Sequence, residues 1–188
     1  MRVIETERLI LRPFTLEDVE AAHALLDVHP DVWRFDPGFA PSLDQRRQVL
    51  VGRIAEYETD LGRTGIGLRA LVSRRSGALI GYCGLQVWLS RGRLAPEDGP
   101  HASLEVELYY KLGREHWGQG LATESSQAVL RLAFEEVGLR RIATVTDRQN
   151  ARSIALLRRL GAEIIDSPTS PDQVIGLIRN PRPGQSAR

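Results

Sequence analysis

The chain has 188 residues, of which 42% are hydrophobic and 26% charged, and its formal net charge is +1. This balance is typical of one well-cored globular domain and provides no strong field for binding nucleic acid or a membrane surface. A single cysteine excludes an intramolecular disulfide and a CxxC metal site, and no apolar leader or spanning segment is visible. We therefore expect a cytoplasmic protein with no nucleic-acid or membrane partner.

The first third of the chain alternates between strand and helix patterns. Residues 7–14 predict a strand that ends near Pro13, and Thr15 to Asp18 has the spacing of a capping box at a helix start. That helix should stop at His29, which precedes a proline. Residues 31–41 show no periodicity, so they form either a packed connection or a loop that contacts a substrate.

A second helix and a hairpin follow. Ser42 begins another capping-box spacing, and a helical stripe continues to about residue 60. Residues 68–73 and 78–88 predict two antiparallel strands, joined by a turn in which Gly77 can adopt a positive φ. Residues 90–101 are rich in glycine and proline and predict a polar loop.

The most informative stretch runs from Leu104 to Gly161. Residues 103–110 alternate apolar and polar side chains, as a half-buried strand does. A turn containing Gly118 and Gly120 leads into an amphipathic helix, and Gly138 is suited to end that helix.

The C-terminal part predicts a further strand, a helix and a strand pair. Residues 142–146 are mostly β-branched, Asn150 starts a helix that Gly161 ends, and residues 162–165 and 173–178 can pair as strands. The strand over 103–110, the helix after the glycine turn and the strand over 142–146 follow one another within about 40 residues and predict a right-handed parallel crossover. We expect one domain over residues 1–179 and a polar tail over 180–188.

The glycine turn predicts an anion site. A strand that turns through glycines into a helix leaves backbone N–H groups unpaired at the positive end of the helix dipole, where phosphate groups commonly bind. Two glycines alone are weak evidence, but Asn150 begins a second helix beside the neighbouring strand. The chain has no Walker lysine and no third glycine, which argues against a nucleoside triphosphatase or a Rossmann dehydrogenase.

These motifs together resemble one known family. The segment from Trp117 to Glu124, the run from Asn150 to Ser153, and Leu160-Gly161 resemble the GNAT acetyltransferases. The opening residues 6–13 are similar to the branch that contains the ribosomal-protein-alanine N-acetyltransferases. The resemblance implies a mixed α/β fold with a central, mostly antiparallel sheet of about seven strands, a parallel splayed pair, and helices on both faces.

The resemblance also implies a site for acetyl-CoA and no metal. Pantetheine would lie along the backbone of Tyr110, Lys111 and Leu112, where the strand through Tyr109 parts from the strand through Val145. Asn150 and Ser153 would contact the cofactor. The diphosphate would bind the amides of the glycine turn, namely those of Trp117, Gly118, Gln119, Gly120, Leu121 and Ala122.

Two side chains are the candidate catalytic residues. Amine attack on a thioester needs a base, and Glu107 occupies the strand position where this branch usually has a glutamate. Glu107 can equally be an ordinary strand carboxylate; Glu105 is a second choice, and a water chain a third. Ser153 would face the sulfur and protonate the leaving thiolate.

Three other residues have simpler interpretations. His116 is better explained as a residue that shapes the turn than as a base. Cys83 lies in an apolar strand, so a buried structural thiol is expected rather than a nucleophile. Glu115 stands where many family members carry Gln or Arg, and its carboxylate must point away from a diphosphate.

The resemblance implies an N-acetyltransferase that moves an acetyl group from acetyl-CoA to a primary amine by direct attack. The acceptor stays open among a protein N-terminus, a polyamine or amino acid, and an aminoglycoside-like molecule. One alternative is an acyl-CoA-binding sensor domain without turnover, and another is an α/β domain that binds a different small molecule. Dimerisation is common among such folds, although the sequence identifies no interface patch.

Overall fold

The computed structural model describes residues 1–35, 40–95, 98–99 and 102–181. Parts of both predicted loops, residues 36–39, 96–97 and 100–101, lie outside the described residues, as does most of the polar tail, residues 182–188. Among the helices of the described ranges, none is both long and apolar enough to cross a bilayer.

The strands form two sheets in which every paired neighbour is antiparallel. One sheet has five strands in the order β1-β2-β3-β4-β5, and the other has three in the order β6-β8-β7. The strands are β1 (Ile4–Glu5), β2 (Leu9–Arg12), β3 (Gly67–Ser73), β4 (Leu79–Ser90), β5 (Ser103–Leu112), β6 (Arg141–Asp147), β7 (Glu163–Asp166) and β8 (Gln173–Arg179).

Five α-helices and several shorter turns connect the strands. The α-helices are α1 (Val19–Ala22), α2 (Leu43–Glu56), α3 (Asp60–Arg63), α4 (Leu121–Arg131) and α5 (Ala151–Arg159). Single turns of 3-10 helix lie at Leu16–Asp18, Pro30–Trp33 and Arg114–His116, and π-helical turns extend α1 over His23–Asp27 and α4 over Leu132–Glu136.

Local sequence signals explain several of these boundaries. The Ser42 hydroxyl accepts a hydrogen bond from the Gln45 amide, and the Gln45 side chain accepts one from the Ser42 amide, so the predicted capping box begins α2. Gly77, Gly138 and Gly161 all adopt positive φ at the predicted turn and helix ends.

The structure corrects two boundaries of the predicted elements and adds detail to others. The described residues contain eight strands, in line with the expected number of about seven, and one of them is the two-residue β1 that pairs with β2. The predicted helix over 42–60 ends at Glu56, and α3 follows separately. Residues 31–33, predicted as loop, belong to a 3-10 turn in which the Trp33 indole donates to the Leu26 carbonyl at 2.8 Å. The helix after the glycine turn ends in a π-helical turn.

Hydrophobic cores lie on both faces of the five-stranded sheet. On one face, Leu108 and Val129 belong to a fully buried cluster beneath α4 that extends to Ile142 of the second sheet. On the other face, Leu50 of α2 and Tyr82 of β4 belong to a second cluster that also contains residues of α1. The side chains of β5 alternate between these two faces, as predicted.

The two sheets meet where β5 and β6 run side by side without forming a shared ladder. Side chains bridge the pair: the Arg141 guanidinium bonds to Glu105, the Thr144 hydroxyl donates to the Leu108 carbonyl at 3.2 Å, and the Val145 amide donates to Glu107 at 3.0 Å. Glu105 contacts Arg141, and further along β5 residues 107 and 108 contact residues 145 and 144. The residue numbers therefore increase in the same direction along both strands, so β5 and β6 are parallel. The predicted splayed parallel pair is therefore present, but as a junction between two sheets.

An ionic cluster closes one end of this junction. The Arg141 guanidinium donates to Glu105 at 2.5 and 3.1 Å and to Asp98 at 2.6 Å, and the Glu105 side chain is only 5% exposed. The hydrogen bond from Arg141 is the main reason why the pKa of Asp98 lies below its usual value. The same bonds to Glu105 and Asp98 raise the pKa of Arg141.

We predict that Arg141→Met destabilises the fold, because it leaves the buried Glu105 carboxylate without its cation. Loss of one partner of a buried ion pair costs about 3 kcal/mol or more. Urea unfolding should show this as a lower midpoint. The adjacent exposed Arg140→Met is the matched control and should leave the midpoint almost unchanged; equal midpoints for both variants would contradict the prediction.

Candidate active site

The glycine turn presents a group of unpaired backbone amides. Gly118 and Gly120 adopt φ values of 76° and 77°, and Gly120 is the N-cap residue of α4. Within the described part of the chain, no hydrogen bond is donated by the five consecutive amides of Gly118, Gln119, Gly120, Leu121 and Ala122. The sixth amide of the predicted set, that of Trp117, donates to the Arg114 carbonyl at 3.3 Å. Most of the predicted anion-binding amides are thus available.

Arginine side chains surround this turn. The Arg8 guanidinium donates to the Gln119 carbonyl at 2.9 Å and to the Glu124 carboxylate at 2.6 Å, which ties β2 to the start of α4. Arg114 and Arg152 lie 5.0 and 5.2 Å from the centre of the Trp117 ring. Three guanidiniums beside five unpaired amides suit a polyanion.

Glu115 lies on the outer side of the turn. Its carboxylate is 3.8 Å from the His116 ring, and its side chain is 63% exposed. The neighbouring indole of Trp117 instead points inward and donates to the Leu112 carbonyl at 2.8 Å. The Leu112 carbonyl, part of the backbone predicted to lie along pantetheine, therefore already accepts one hydrogen bond from Trp117.

The edge of β5 beyond Leu108 faces the parted strand. The Leu108 carbonyl accepts from Thr144 of β6, so backbone groups two residues further, at Tyr110, point to the same edge. Lys111, the next residue, directs its ammonium at the Trp33 ring, 3.3 Å from the ring centre. The parted edge at Tyr110 thus carries backbone groups suited to the amide bonds of an extended ligand.

Tyr110 of β5 lies close to Asn150 and Ser153 at the start of α5. The Asn150 side-chain oxygen accepts from the Ser153 amide at 3.1 Å and caps α5. The Tyr110 and Ser153 hydroxyls lie 2.7 Å apart, and burial raises the pKa of Tyr110 to about 12. Tyr110 is consequently protonated at neutral pH and can donate to Ser153.

Glu107 is buried and held on two sides. One carboxylate oxygen accepts from the Val145 amide at 3.0 Å, and the other accepts from the Gln86 side chain at 2.9 Å. Its exposed fraction is 7%. Glu105 is bonded to Arg141 instead. Glu107 is two residues further along β5 and is therefore closer along the strand to Tyr110.

The other two candidates, Cys83 and His116, have structural explanations. Cys83 is fully buried on β4, and burial is the largest cause that raises the pKa of its thiol to about 11, which fits a structural role. His116 lies on the turn beside Glu115. Across the ranges that the structure describes, no three or more His, Cys, Asp or Glu side chains form a group that could hold a metal ion.

Sequence reasoning missed several of the polar contacts. Arg8 and Glu124 are 116 positions apart, Tyr110 and Ser153 are 43 apart, and Gln86 pairs with Glu107 across the β4–β5 register. Of these, only the Gln86 contact follows from a local pattern, since aligning two neighbouring strands brings the pair together. The others depend on packing between distant segments.

The sequence and the fold have counterparts among known proteins. The family model described as the acetyltransferase (GNAT) domain matches residues 8–163. The chain belongs to the GNAT acetyltransferase family. It is an acetyl-CoA-dependent acetyltransferase, and the resemblance noted in the sequence is confirmed.

Individual relatives agree with this assignment. The chain is 29% identical over 163 residues to an N-acetyltransferase named p20 from Bacillus licheniformis, covering 85% of this chain and 82% of the relative. An acetyltransferase structure from Agrobacterium tumefaciens has a TM-score of 0.72 at 24% identity, covering 95% of each chain. RimL, a ribosomal L7/L12 α-N-protein acetyltransferase in complex with coenzyme A, has a TM-score of 0.69 at 20% identity, covering 95% of this chain and 98% of RimL. At these identities, the solved structures show a common fold.

We predict that Cys83 resists thiol reagents in the native protein. With a pKa near 11, about one thiol in a thousand is ionised at pH 8, and burial blocks access to it. Ellman's reagent should therefore detect almost no protein thiol at pH 8, and one thiol per chain after unfolding in urea. Rapid labelling of the native protein would contradict the buried position.

Proposed function

We propose that the protein transfers an acetyl group from acetyl-CoA to a primary amine, either on a small molecule or at a protein N-terminus, by direct attack. The observation that carries the proposal is the row of unpaired amides at the start of α4, next to a parted strand edge that faces Asn150 and Ser153. A diphosphate and an extended amide-bearing arm need these two features side by side.

The proposed cofactor residues divide into three groups. The amides from Gly118 to Ala122 bind the diphosphate, and Trp117 holds the turn in place through Leu112. The backbone at Tyr110 binds the pantetheine arm, with Lys111 and Leu112 continuing the strand. The Asn150 side-chain oxygen accepts the hydrogen bond that caps α5. The side-chain nitrogen of the same residue is therefore the group that would donate to the cofactor.

Glu107 is proposed as the general base. Bound acetyl-CoA supplies an activated acetyl thioester; a neutral amine nitrogen forms the new C–N bond while the C–S bond breaks. Glu107, directly or through a water, takes the proton that the amine loses. An ionised carboxylate offers about four acceptor positions, so its bonds to Val145 and Gln86 orient the group without preventing proton uptake.

Ser153 is proposed as the donor to the leaving thiolate. Its hydroxyl would donate a proton to sulfur as the C–S bond breaks, while Tyr110 donates to the Ser153 oxygen across the 2.7 Å hydrogen bond. With a pKa of about 12 the phenol keeps its own proton, so the Ser153 proton is restored from solvent, to which Glu107 releases the proton taken from the amine. A base on β5 and a donor at α5 thus lie on opposite sides of the parted edge.

The proposal is tested by titrating the protein with acetyl-CoA in a calorimeter and then measuring CoA thiol release with a panel of amines. Saturable binding and amine-dependent thiol release are expected. The absence of binding at millimolar acetyl-CoA would overturn the proposal. Binding without thiol release on any amine would instead support a sensor domain.

We predict that Gly118→Asp weakens acetyl-CoA binding. No atom outside its neighbours lies within 4 Å of a Cβ at this position, so a side chain can be accommodated but would project a negative charge at the anion site. Gly118→Asn is the matched control, because it has the same size and the same positive-φ strain without the charge. We expect the Gly118→Asp variant to bind acetyl-CoA at least tenfold more weakly than the Gly118→Asn variant, a difference of about 1.4 kcal/mol in binding free energy. Equal affinities would move the anion site elsewhere.

We predict that Glu107→Gln lowers kcat while leaving acetyl-CoA affinity unchanged. The amide oxygen can still accept from Val145, and rotation of the Gln86 amide restores the second bond, so the fold should persist. Loss of a general base lowers the rate by about 10²–10⁴-fold. Steady-state kinetics with calorimetry separates the two effects. Full activity in a folded variant would leave Glu107 with only its structural role.

A further inference from the structure

A cavity lies on the α2 side of the five-stranded sheet and has a volume of about 150 Å³. We call it the α2 cavity. Phe14, Tyr82 and Tyr109 form its aromatic wall, and aliphatic side chains from α2 and β3 complete it. The Tyr82 and Tyr109 rings are nearly parallel with their centres 5.9 Å apart, and the Phe14 ring meets Tyr82 edge to face.

The α2 cavity adjoins the proposed base. Gln86 lines the cavity and donates to the Glu107 carboxylate at 2.9 Å. Tyr109 also lines it and lies on the same face of β5 as Glu107, two residues further along the strand. An amine positioned at Glu107 would therefore have the rest of its molecule beside or within this cavity.

The charged side chains that line the cavity are both cationic. Arg46 and Arg53 line it, and none of the described lining residues carries a carboxylate. Arg46 bonds to the buried Asp27 through its Nε and one Nη, at 2.8 and 2.5 Å, so its charge is largely compensated. Arg53 uses only Nη1, at 3.0 and 3.2 Å from the half-exposed Glu56.

Arg53 is thus the group that can receive an anion. Its Nε and Nη2 donate to no other described residue, and its side chain is 28% exposed. A guanidinium with two adjacent donors matches a carboxylate in geometry and charge. No lining residue that the structure describes carries a carboxylate that could bind the further cationic groups of a polyamine or an aminoglycoside, which disfavours such polycations.

We propose that the α2 cavity selects a small acceptor amine that also carries a carboxylate and a compact apolar or aromatic group, as apolar amino acids do. The inference rests on the proposed acetyl transfer and names its substrate class. The apolar group packs on the aromatic wall, Arg53 binds the carboxylate, and the amine faces Glu107.

The test compares matched amines. Phenylalanine and methionine carry all three groups, phenethylamine lacks the carboxylate, phenylalaninamide masks it, and spermidine and kanamycin are polycations. We expect kcat/KM from thiol release to be at least tenfold higher for the two amino acids than for the other four. Higher kcat/KM for spermidine, kanamycin or phenylalaninamide would overturn the inference and leave acetyl transfer intact.

Arg53→Gln tests the proposed carboxylate contact directly. KM for phenylalanine should rise about tenfold in this variant, while KM for phenethylamine stays the same. Arg47→Gln is the matched control, since Arg47 is on the same helix, bonds to Glu20 and does not line the cavity. An equal change in KM for phenylalanine in both variants would overturn the role of Arg53.

Calorimetry separates failure of this inference from failure of the proposed function. N-acetylphenylalanine should bind the protein saturated with CoA, and its affinity should fall in Arg53→Gln. Binding of the amino acid without thiol release from acetyl-CoA would support the cavity and overturn the acetyl transfer. No binding of either the amino acid or its acetylated form would overturn the cavity assignment.

Discussion

The join between the two sheets depends on how the unpaired backbone groups at the open edge between β5 and β6 find hydrogen-bond partners. Backbone N–H and C=O groups on an unpaired strand edge need partners, and a parted pair of strands leaves them without a ladder. Side chains from Glu107 and Thr144 supply part of what the ladder would provide, and the Arg141 cluster fixes the end where the strands stay close. The remaining edge, at Tyr110, is where an extended ligand can take the place of a strand.

Under the proposed function, stability and chemistry share residues. Glu107 is buried, and its charge is stabilised by donors from β4 and β6, so it holds the junction while facing the cavity under α2. Tyr110 likewise joins β5 to the start of α5 through Ser153. A carboxylate and a hydroxyl pair that also position the strands are held in fixed geometry before any substrate arrives, which lowers the reorganisation needed during reaction.

The sequence predicted features that short-range signals determine. The capping box at Ser42, the positive-φ turn at Gly77 and the alternation along β5 depend only on neighbouring residues, and each is present. The two-residue β1 is too short to show the alternation of apolar and polar side chains that predicts a strand. Contacts such as Arg8 with Glu124, and the lining of the α2 cavity, arise from packing of segments far apart in the chain, so local periodicity contains no information about them. The glycine turn could be predicted because its strand, its glycines and its helix follow one another directly in the sequence.

Lys111 is the only lysine in the chain, and its ammonium lies against the Trp33 ring rather than in open solvent. The other 24 of its 25 lysine and arginine side chains are arginines, whose guanidiniums stay protonated and are poor nucleophiles at neutral pH. An enzyme that acylates amines therefore displays almost none of its own. Any acetyl-lysine found in the purified protein can only be at Lys111, so one tryptic peptide reports all of its lysine self-modification.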